Sequence, residues 1–242
     1  MLFLCFFVAM TLYVGTSGYS YKEWKGKFYP ETIPPKEMLT YYASRFKAVE
    51  LNNTFYRRPQ PSTIEGWKNQ VPEDFRFTVK ASQGITHFRR LKDAGEATRF
   101  MLDGFSAFGE RLGAVLFRLR EDMEKDLQRL QQFLKELPKG TRAAFDFRHP
   151  SWFDKQVFAL LRDENQVLCV SDRDEWPVNQ IEKTGDWGYV RLRRVKYSKT
   201  ELAEWVNRIR AQQWKDTYVF FKHEDEGTGP RLAAQFEDLA TD

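Results

Sequence analysis

The sequence predicts a (β/α)8 barrel, a closed parallel sheet inside a ring of helices. Three observations point there. The chain has 242 residues, close to the usual length of one such barrel. Eight short β-rich runs recur along it, at 12–15, 48–52, 75–80, 114–119, 143–147, 167–170, 189–192 and 218–221. Most of them are separated by segments with helical spacing, and strand–helix alternation is the signature of parallel βα units.

The chain opens on an apolar run, MLFLCFFVAM. No Lys or Arg precedes it, no small-residue cleavage site follows it, and it is too short to span a bilayer. Residues 1–11 are therefore expected to be an extension below the barrel or a mis-set start, with a targeting segment as the alternative. Residues 12–242 are expected to form one barrel domain, since no linker, low-complexity tract or charge block divides them. Between 18 and 34 the sequence is aromatic and turn-rich, and is expected to be an ordered loop after the first strand. Helices are expected over 35–45, 62–71, 97–112, 125–137, 155–164, 199–213 and 231–239. The fourth of these has Leu127, Leu130, Phe133, Leu134 and Leu137 at helical intervals.

Charge and cysteine content narrow the class. The net charge of +4 is mildly basic, compatible with an anionic partner but short of a polybasic tail. Cys5 and Cys169 form no CxxC or CxxH pair, so a zinc ribbon, a redox motif and a disulfide framework are not expected. A reducing cytoplasm is the expected location. No motif indicates a cofactor, and no membrane partner is expected.

Side chains two apart in a strand share a face. One face then carries Glu50, Asn52 and Thr54; another Arg76, Thr78 and Lys80; then Arg118 with Arg120, Asp146 with Arg148, and Arg191 with Arg193. The apolar residues between them should face the helices, so the polar set should face the barrel interior and its mouth. Glu50, Asp146 and Asp172 are the available partners for these cations. For the deeper Glu50 and Arg76 a structural ion network is an equal alternative to a functional role. At strand C-termini the functional reading gains, because barrel enzymes place their chemistry there. His87, His149 and His223 each follow a predicted strand; a general acid or base is their natural role. No HExxH or comparable pair occurs, and no metal site is expected. Gly15-Thr16-Ser17-Gly18 is neither a nucleophile elbow nor a phosphate loop, and reads as a tight turn. Cys169 is expected in the core.

Five segments in order, VGTSGYSYKEWKGKFYP, VELNNTFYRRP, FTVKASQGITHFRRL, FDFRHPSW and YVRL, resemble the YecE-like family, the domain of unknown function 72. The resemblance runs over essentially 12–242. It implies a TIM-type barrel, usually cytoplasmic, with no established biochemical role; the likeness of such barrels to endonucleases and isomerases is one of fold only. Tyr19, Trp24, Asn52, Thr54, Tyr56, Lys80, His87, Arg148, His149, Trp152, Asp172 and Arg191 match the family pattern. Asp146 stands where the family usually has Glu. Three places depart from it: Phe117-Arg118-Leu119-Arg120, Leu192-Arg193-Arg194 and Phe221-Lys222-His223-Glu224. Positions that are neutral in the family have become cationic there, which implies a more anionic ligand or a lost family activity.

The catalytic candidates are His149, Asp146 and His87. The substrate-binding candidates are Tyr19, Trp24, Asn52, Thr54, Tyr56, Lys80, Arg118, Arg148, Trp152, Asp172, Arg191 and Arg193. Arginines would grip phosphate bidentately, and the rings would stack on bases or sugars. Three readings follow: an enzyme acting on a phosphate-bearing or nucleic-acid substrate, a non-catalytic binder of nucleic acid or an anionic metabolite, and a partner-binding barrel with a structural polar interior. The FDFRHPSW stretch is the expected centre, with Asp146 and Arg148 inward, His149 at the rim because Pro150 ends the ladder, and Trp152 as a wall.

Overall fold

A computed structural model describes residues 10–176, 181–222 and 225–241. The apolar run up to Ala9, His223 and Glu224 lie outside the described residues. Nine parallel strands form one sheet that wraps into a nearly closed barrel. They are β1 (Thr11–Ser17), β2 (Ala48–Leu51), β3 (Arg76–Lys80), β4 (Leu112–Arg118), β5 (Ala143–Asp146), β6 (Val167–Leu168), β7 (Val170–Asp172), β8 (Gly188–Leu192) and β9 (Asp216–Phe221). Their order is β6-β5-β4-β3-β2-β1-β9-β8-β7.

β6 and β7 are two halves of the expected sixth strand. The first pairs with β5 and the second with β8. Cys169 lies between them, and its N–H donates to the Phe145 carbonyl at 2.9 Å, carrying the ladder across the break. The first strand begins one residue earlier than expected, because the Thr11 N–H reaches the Lys215 carbonyl and Thr11 pairs with Asp216.

Seven helices surround the sheet: α1 (Met38–Ala43), α2 (Pro61–Lys68), α3 (Gly95–Phe105), α4 (Leu127–Glu136), α5 (Lys155–Asp163), α6 (Lys199–Arg210) and α7 (Thr228–Thr241). The expected helix over 35–45 is shorter, since Pro34 and Pro35 hold its start in an extended-to-3-10 turn. The one expected over 97–112 stops at Phe105. A 3-10 turn follows, and Gly109 at φ +57° breaks it, letting the chain enter β4 at Leu112. Starts are set by side-chain caps: Asp126 on α4, Asp154 on α5, and a reciprocal Ser198–Glu201 box on α6. Among the described residues no helix covers the crossover from β7 to β8, and no helix is long and apolar enough to cross a membrane.

The two faces of the sheet form two separate cores, as alternation requires. Val14, Val49, Phe77, Val79, Phe117, Phe145, Val190 and Phe221 pack outward against the helices. Ala48, Ala114, Leu116, Ala144, Cys169, Tyr189, Tyr218 and Phe220 fill the lower barrel interior. Small residues on β2, β4 and β5 there face the rings of β8 and β9, so the centre is packed, with no pore. Arg76 sits at the N-terminal end, its guanidinium on the Glu73 and Phe75 carbonyls; it takes no part in the ion network above.

One helix is pinned into the sheet. The Tyr42 hydroxyl of α1 accepts from the Thr16 N–H (2.7 Å) and donates to the Ala48 carbonyl (2.9 Å). It bridges the two strands beside the Gly15–Ala48 pair, and a Cβ on Gly15 would lie 1.9 Å from the Ala48 oxygen and 2.7 Å from that hydroxyl. Tyr42→Phe should therefore destabilise the fold by about 1–3 kcal/mol, the range for a buried donor and acceptor left unpaired. Denaturant unfolding of the variant beside wild type measures it; an unchanged midpoint would contradict this role for the hydroxyl.

Candidate functional site

All strands run in the same direction, so their C-terminal residues form one rim. Register places Ser17 beside Glu50, Lys80 beside Leu116, Arg118 beside Asp146 and Asp172 beside Leu192. The polar residues of the inner face converge just beneath this rim.

At the centre is a buried guanidinium between two carboxylates. Arg191 Nη2 donates to Glu50 Oε1 at 2.9 Å, and Nη1 to Asp146 Oδ2 at 2.9 Å. Glu50 and Asp146 are fully buried. Ser17 Oγ donates to Glu50 Oε1 (2.7 Å), and the Tyr189 hydroxyl to Oε2 (2.7 Å). Tyr189 also contacts Thr78 Oγ1 at 3.0 Å. Burial alone would raise the Glu50 carboxyl; the Arg191 charge and the hydrogen bonds from Ser17, Tyr189 and Arg191 outweigh it, and its pKa ends below the ordinary value. Burial disfavours the Arg191 charge, but Glu50 and Asp146 more than offset this and raise its pKa. Cys169 is held as a thiol, its pKa raised first by burial and then by the Asp146 charge.

Above this triad lies a ring of cations with few acidic partners. Lys80 is buried, with Nζ 3.7 Å above the Phe55 ring. Burial, then the charges of Arg118 and Arg191, push its pKa down to about 8. Burial and Arg191 push Arg193 down to about 10. Arg118 is lowered by burial and, against the opposing pull of Asp146, by Arg148 and Arg191. Arg148 pairs with the exposed Glu121 at 2.6 Å. Several buried polar atoms have no hydrogen-bond partner among the described residues: Nε of Arg118, Arg148, Arg191 and Arg193, Nη1 of Arg148 and Arg193, and Oδ1 of Asp146.

Two histidines, His87 and His149, lie in the turns that follow β3 and β5. His87 lies in a π-turn (Gly84–Phe88) after β3, in a loop where Arg90, Leu91 and Asp93 adopt positive φ. Its ring meets Phe55 edge-on at 4.8 Å, and Nδ1 contacts Thr86 Oγ1 at 2.9 Å. Burial and the charges of Lys80, Arg118 and Arg120 lower its pKa. With Arg118 and Arg120 it lines a shallow pocket of about 300 Å³. His149 Nδ1 accepts from the Ser151 N–H at 3.3 Å and so caps the 3-10 turn Pro150–Trp152.

The expected aromatic walls are placed elsewhere. Trp24 is buried among Tyr21, Phe28 and Tyr29, so the loop after β1 packs on its own rings. Trp152 is fully buried, stacked on Phe147 at 4.6 Å and donating to the Met123 carbonyl. Tyr19 lies against Tyr42 in the helical layer. Thr54 Oγ1 ties the Leu51 and Lys80 carbonyls together, clamping the ends of β2 and β3. Tyr56 is exposed and Asn52 half-buried. Asp172 accepts from the Tyr197 hydroxyl at 2.8 Å. Among the described residues no group of three His, Cys, Asp or Glu side chains is placed to hold a metal. Sequence reasoning missed Ser17, Tyr189 and Glu121. The first two were within reach of the alternation rule, since Tyr189 is two residues before Arg191 and Ser17 two after Gly15.

A family model described as "Protein of unknown function DUF72" matches residues 13–242. The chain belongs to the DUF72 family. It is 25% identical to the UPF0759 protein YunF of Bacillus subtilis over 94% of each chain. It is 31% identical to the UPF0759 protein YecE of Escherichia coli over 47% of this chain and 42% of that one. A DUF72 family crystal structure from Thermotoga maritima superposes with a TM-score of 0.85 at 28% identity, covering 96% of this chain and all of that one. A second, from Enterococcus faecalis, has a TM-score of 0.78 at 19% identity, over 96% of each chain, and shares the fold.

In this DUF72 chain, Arg191→Met should destabilise folding by about 3–5 kcal/mol, because two buried carboxylates lose their cation. The pH profile follows from Glu50. Its folded pKa is lowered, so its contribution is fully present above the unfolded value near 4.3 and is lost as pH falls through the folded value. Wild type should therefore lose stability on acidification below about pH 4 more steeply than Glu50→Gln, as chemical unfolding at a series of pH values would measure. Parallel profiles would rule out the Glu50 contribution.

Proposed function

We propose that the barrel mouth binds a small phosphate-bearing anion. The observation that carries this reading is the imbalance of buried charge. Lys80, Arg118, Arg148 and Arg193 crowd together, while Glu50 and Asp146 are already engaged by Arg191. Buried cations, with guanidinium N–H groups that lack acceptors among the described residues, are what a bidentate oxyanion would satisfy. Arg191 is the support of this site; Arg118, Arg193 and Lys80 are the groups that would touch the ligand. With Trp24 and Trp152 buried, stacking on their rings is not available to it.

A second reading has its own observation. Two adjacent loops each present an aromatic residue followed by arginines on the surface, Tyr56-Arg57-Arg58 and Phe88-Arg89-Arg90. Such pairs suit the bases and phosphates of a single nucleic-acid strand. Arg58 and Arg90 are partly engaged, by the Phe100 carbonyl and by Asp122, which is why the mouth is preferred. The free buried thiol of Cys169 is in keeping with a reducing cytoplasm.

Titration calorimetry with pyrophosphate tests the first reading. Affinity should fall as salt rises, and Arg118→Ala and Arg193→Ala should each weaken binding by about 1.5–3 kcal/mol, as for a charged hydrogen bond. It should also fall as pH passes about 8, where Lys80 loses its proton. Lys80→Met should bind pyrophosphate worse yet fold more stably at pH 7, because the buried ammonium is penalised below its folded pKa and is relieved only as pH climbs toward the unfolded value near 10.4. Salt-insensitive affinity, or unchanged affinity in both arginine variants, would refute the mouth as an anion site. Tight binding of an oligonucleotide that is lost in Arg57→Ala would support the second reading instead.

A further inference from the structure

We propose that Lys80 is an amine nucleophile that condenses with the carbonyl carbon of a small phosphorylated aldehyde or ketone held at the barrel mouth. This rests on the anion-binding reading above and names the chemistry of its ligand.

The geometry separates Lys80 from an ordinary phosphate-binding cation. Lys68, Lys125 and Lys215 each sit 2.6–3.0 Å from a carboxylate. Lys80 has an aromatic ring in that place, with Nζ 3.7 Å from the Phe55 centroid. A carboxylate partner locks the proton on an amine; a ring favours the charged form too, but far less strongly. The charged groups facing Nζ are Arg118 of β4 and Arg191 of β8, which repel its charge, and Glu50 of β2 and Asp146 of β5, which attract it but already share Arg191. Lowered to about 8, the ammonium releases about a tenth of its population as free amine at pH 7, against fewer than one in a thousand for an exposed lysine. Desolvated lysines beside other cations are the kind that act as nucleophiles.

His87 completes the chemistry. It touches the same Phe55 ring edge-on, and its Nδ1 is engaged with Thr86; with the ring proton on Nδ1, the Nε2 lone pair is left to accept a proton. Its lowered pKa keeps it neutral at pH 7. The Lys80 nitrogen lone pair forms a bond to the carbonyl carbon, and the C=O pair moves onto oxygen, which is protonated. His87 Nε2 carries one proton from the nitrogen to that oxygen, giving the carbinolamine, and then a second from the nitrogen to the hydroxyl, which leaves as water. The products are an imine and one water, with no oxidant or reductant. Arg118 and Arg193 would hold the phosphate while this occurs.

Borohydride trapping tests it. The protein is incubated with dihydroxyacetone phosphate, sodium borohydride is added, and intact mass and peptide mapping locate the reduced adduct. One adduct per chain is expected, on the peptide containing Lys80, with a trapping rate that rises with pH to a midpoint near 8. Lys80→Arg should abolish it, and His87→Gln should slow it by about a hundredfold. Mapping on the wild type does not depend on how well any variant folds. No adduct, or adducts spread over exposed lysines, together with intact pyrophosphate binding would overturn the inference and leave the anion site standing. Adduct at Lys80 from dihydroxyacetone as readily as from its phosphate, with no pyrophosphate binding, would overturn the anion site and leave the nucleophile. Neither adduct nor binding would overturn both.

Discussion

The open end of this barrel is organised by one electrostatic constraint: a guanidinium placed between two carboxylates in a closed interior. Glu50 and Asp146 cannot be buried as charges without Arg191, and Arg191 cannot be buried without them. The remaining lone pairs of Glu50 are met by Ser17 and Tyr189. Four strands thus contribute to one ion-paired layer, and that layer is the floor beneath the mouth.

Because the floor consumes both acids, the level above it is left cationic. Lys80, Arg118 and Arg193 share a partly dry space; burial first, and then neighbouring arginine charges, lower their pKa values against the opposing pull of Asp146. A structure that only needed to fold would have no reason to keep such a ring. Destabilised charge of this kind is characteristic of binding and catalytic sites.

Much of this was legible from alternation alone. Period two put Glu50, Lys80, Arg118, Asp146, Arg148, Arg191 and Arg193 on inner faces, and a parallel sheet then brings inner faces together without any further information. What alternation does not carry is the reach of a loop. Trp24 and Trp152 follow strands, as ligand-binding rings do, but their destination is decided by neighbours distant in sequence: Phe28 and Tyr29 for one, Phe147 and the Met123 carbonyl for the other. His149 is a case of local chemistry winning, since an imidazole one residue before a proline-led turn is well placed to cap it. The split of the sixth strand at Cys169 has no sequence signature that we can name.

That split has a mechanical side. A closed ring of strands resists distortion in proportion to its least-bonded joint, and here that joint is β6 and β7, two residues and three, paired on opposite sides and spliced through the backbone of Cys169. α5 packs on β6, but among the described residues no helix covers the crossover from β7 to β8. Thermal fluctuations that part the barrel would concentrate at this splice, and amide hydrogens of β7 and β8 would exchange with solvent before those of β1 and β9, whose ladder has six registered pairs. The ion-paired floor is anchored on β8 through Arg191, so the weak joint and the buried ion triad are neighbours: opening the seam would strain the triad that holds both carboxylates, and any ligand bridging Arg118 to Arg193 would act as a clasp across it.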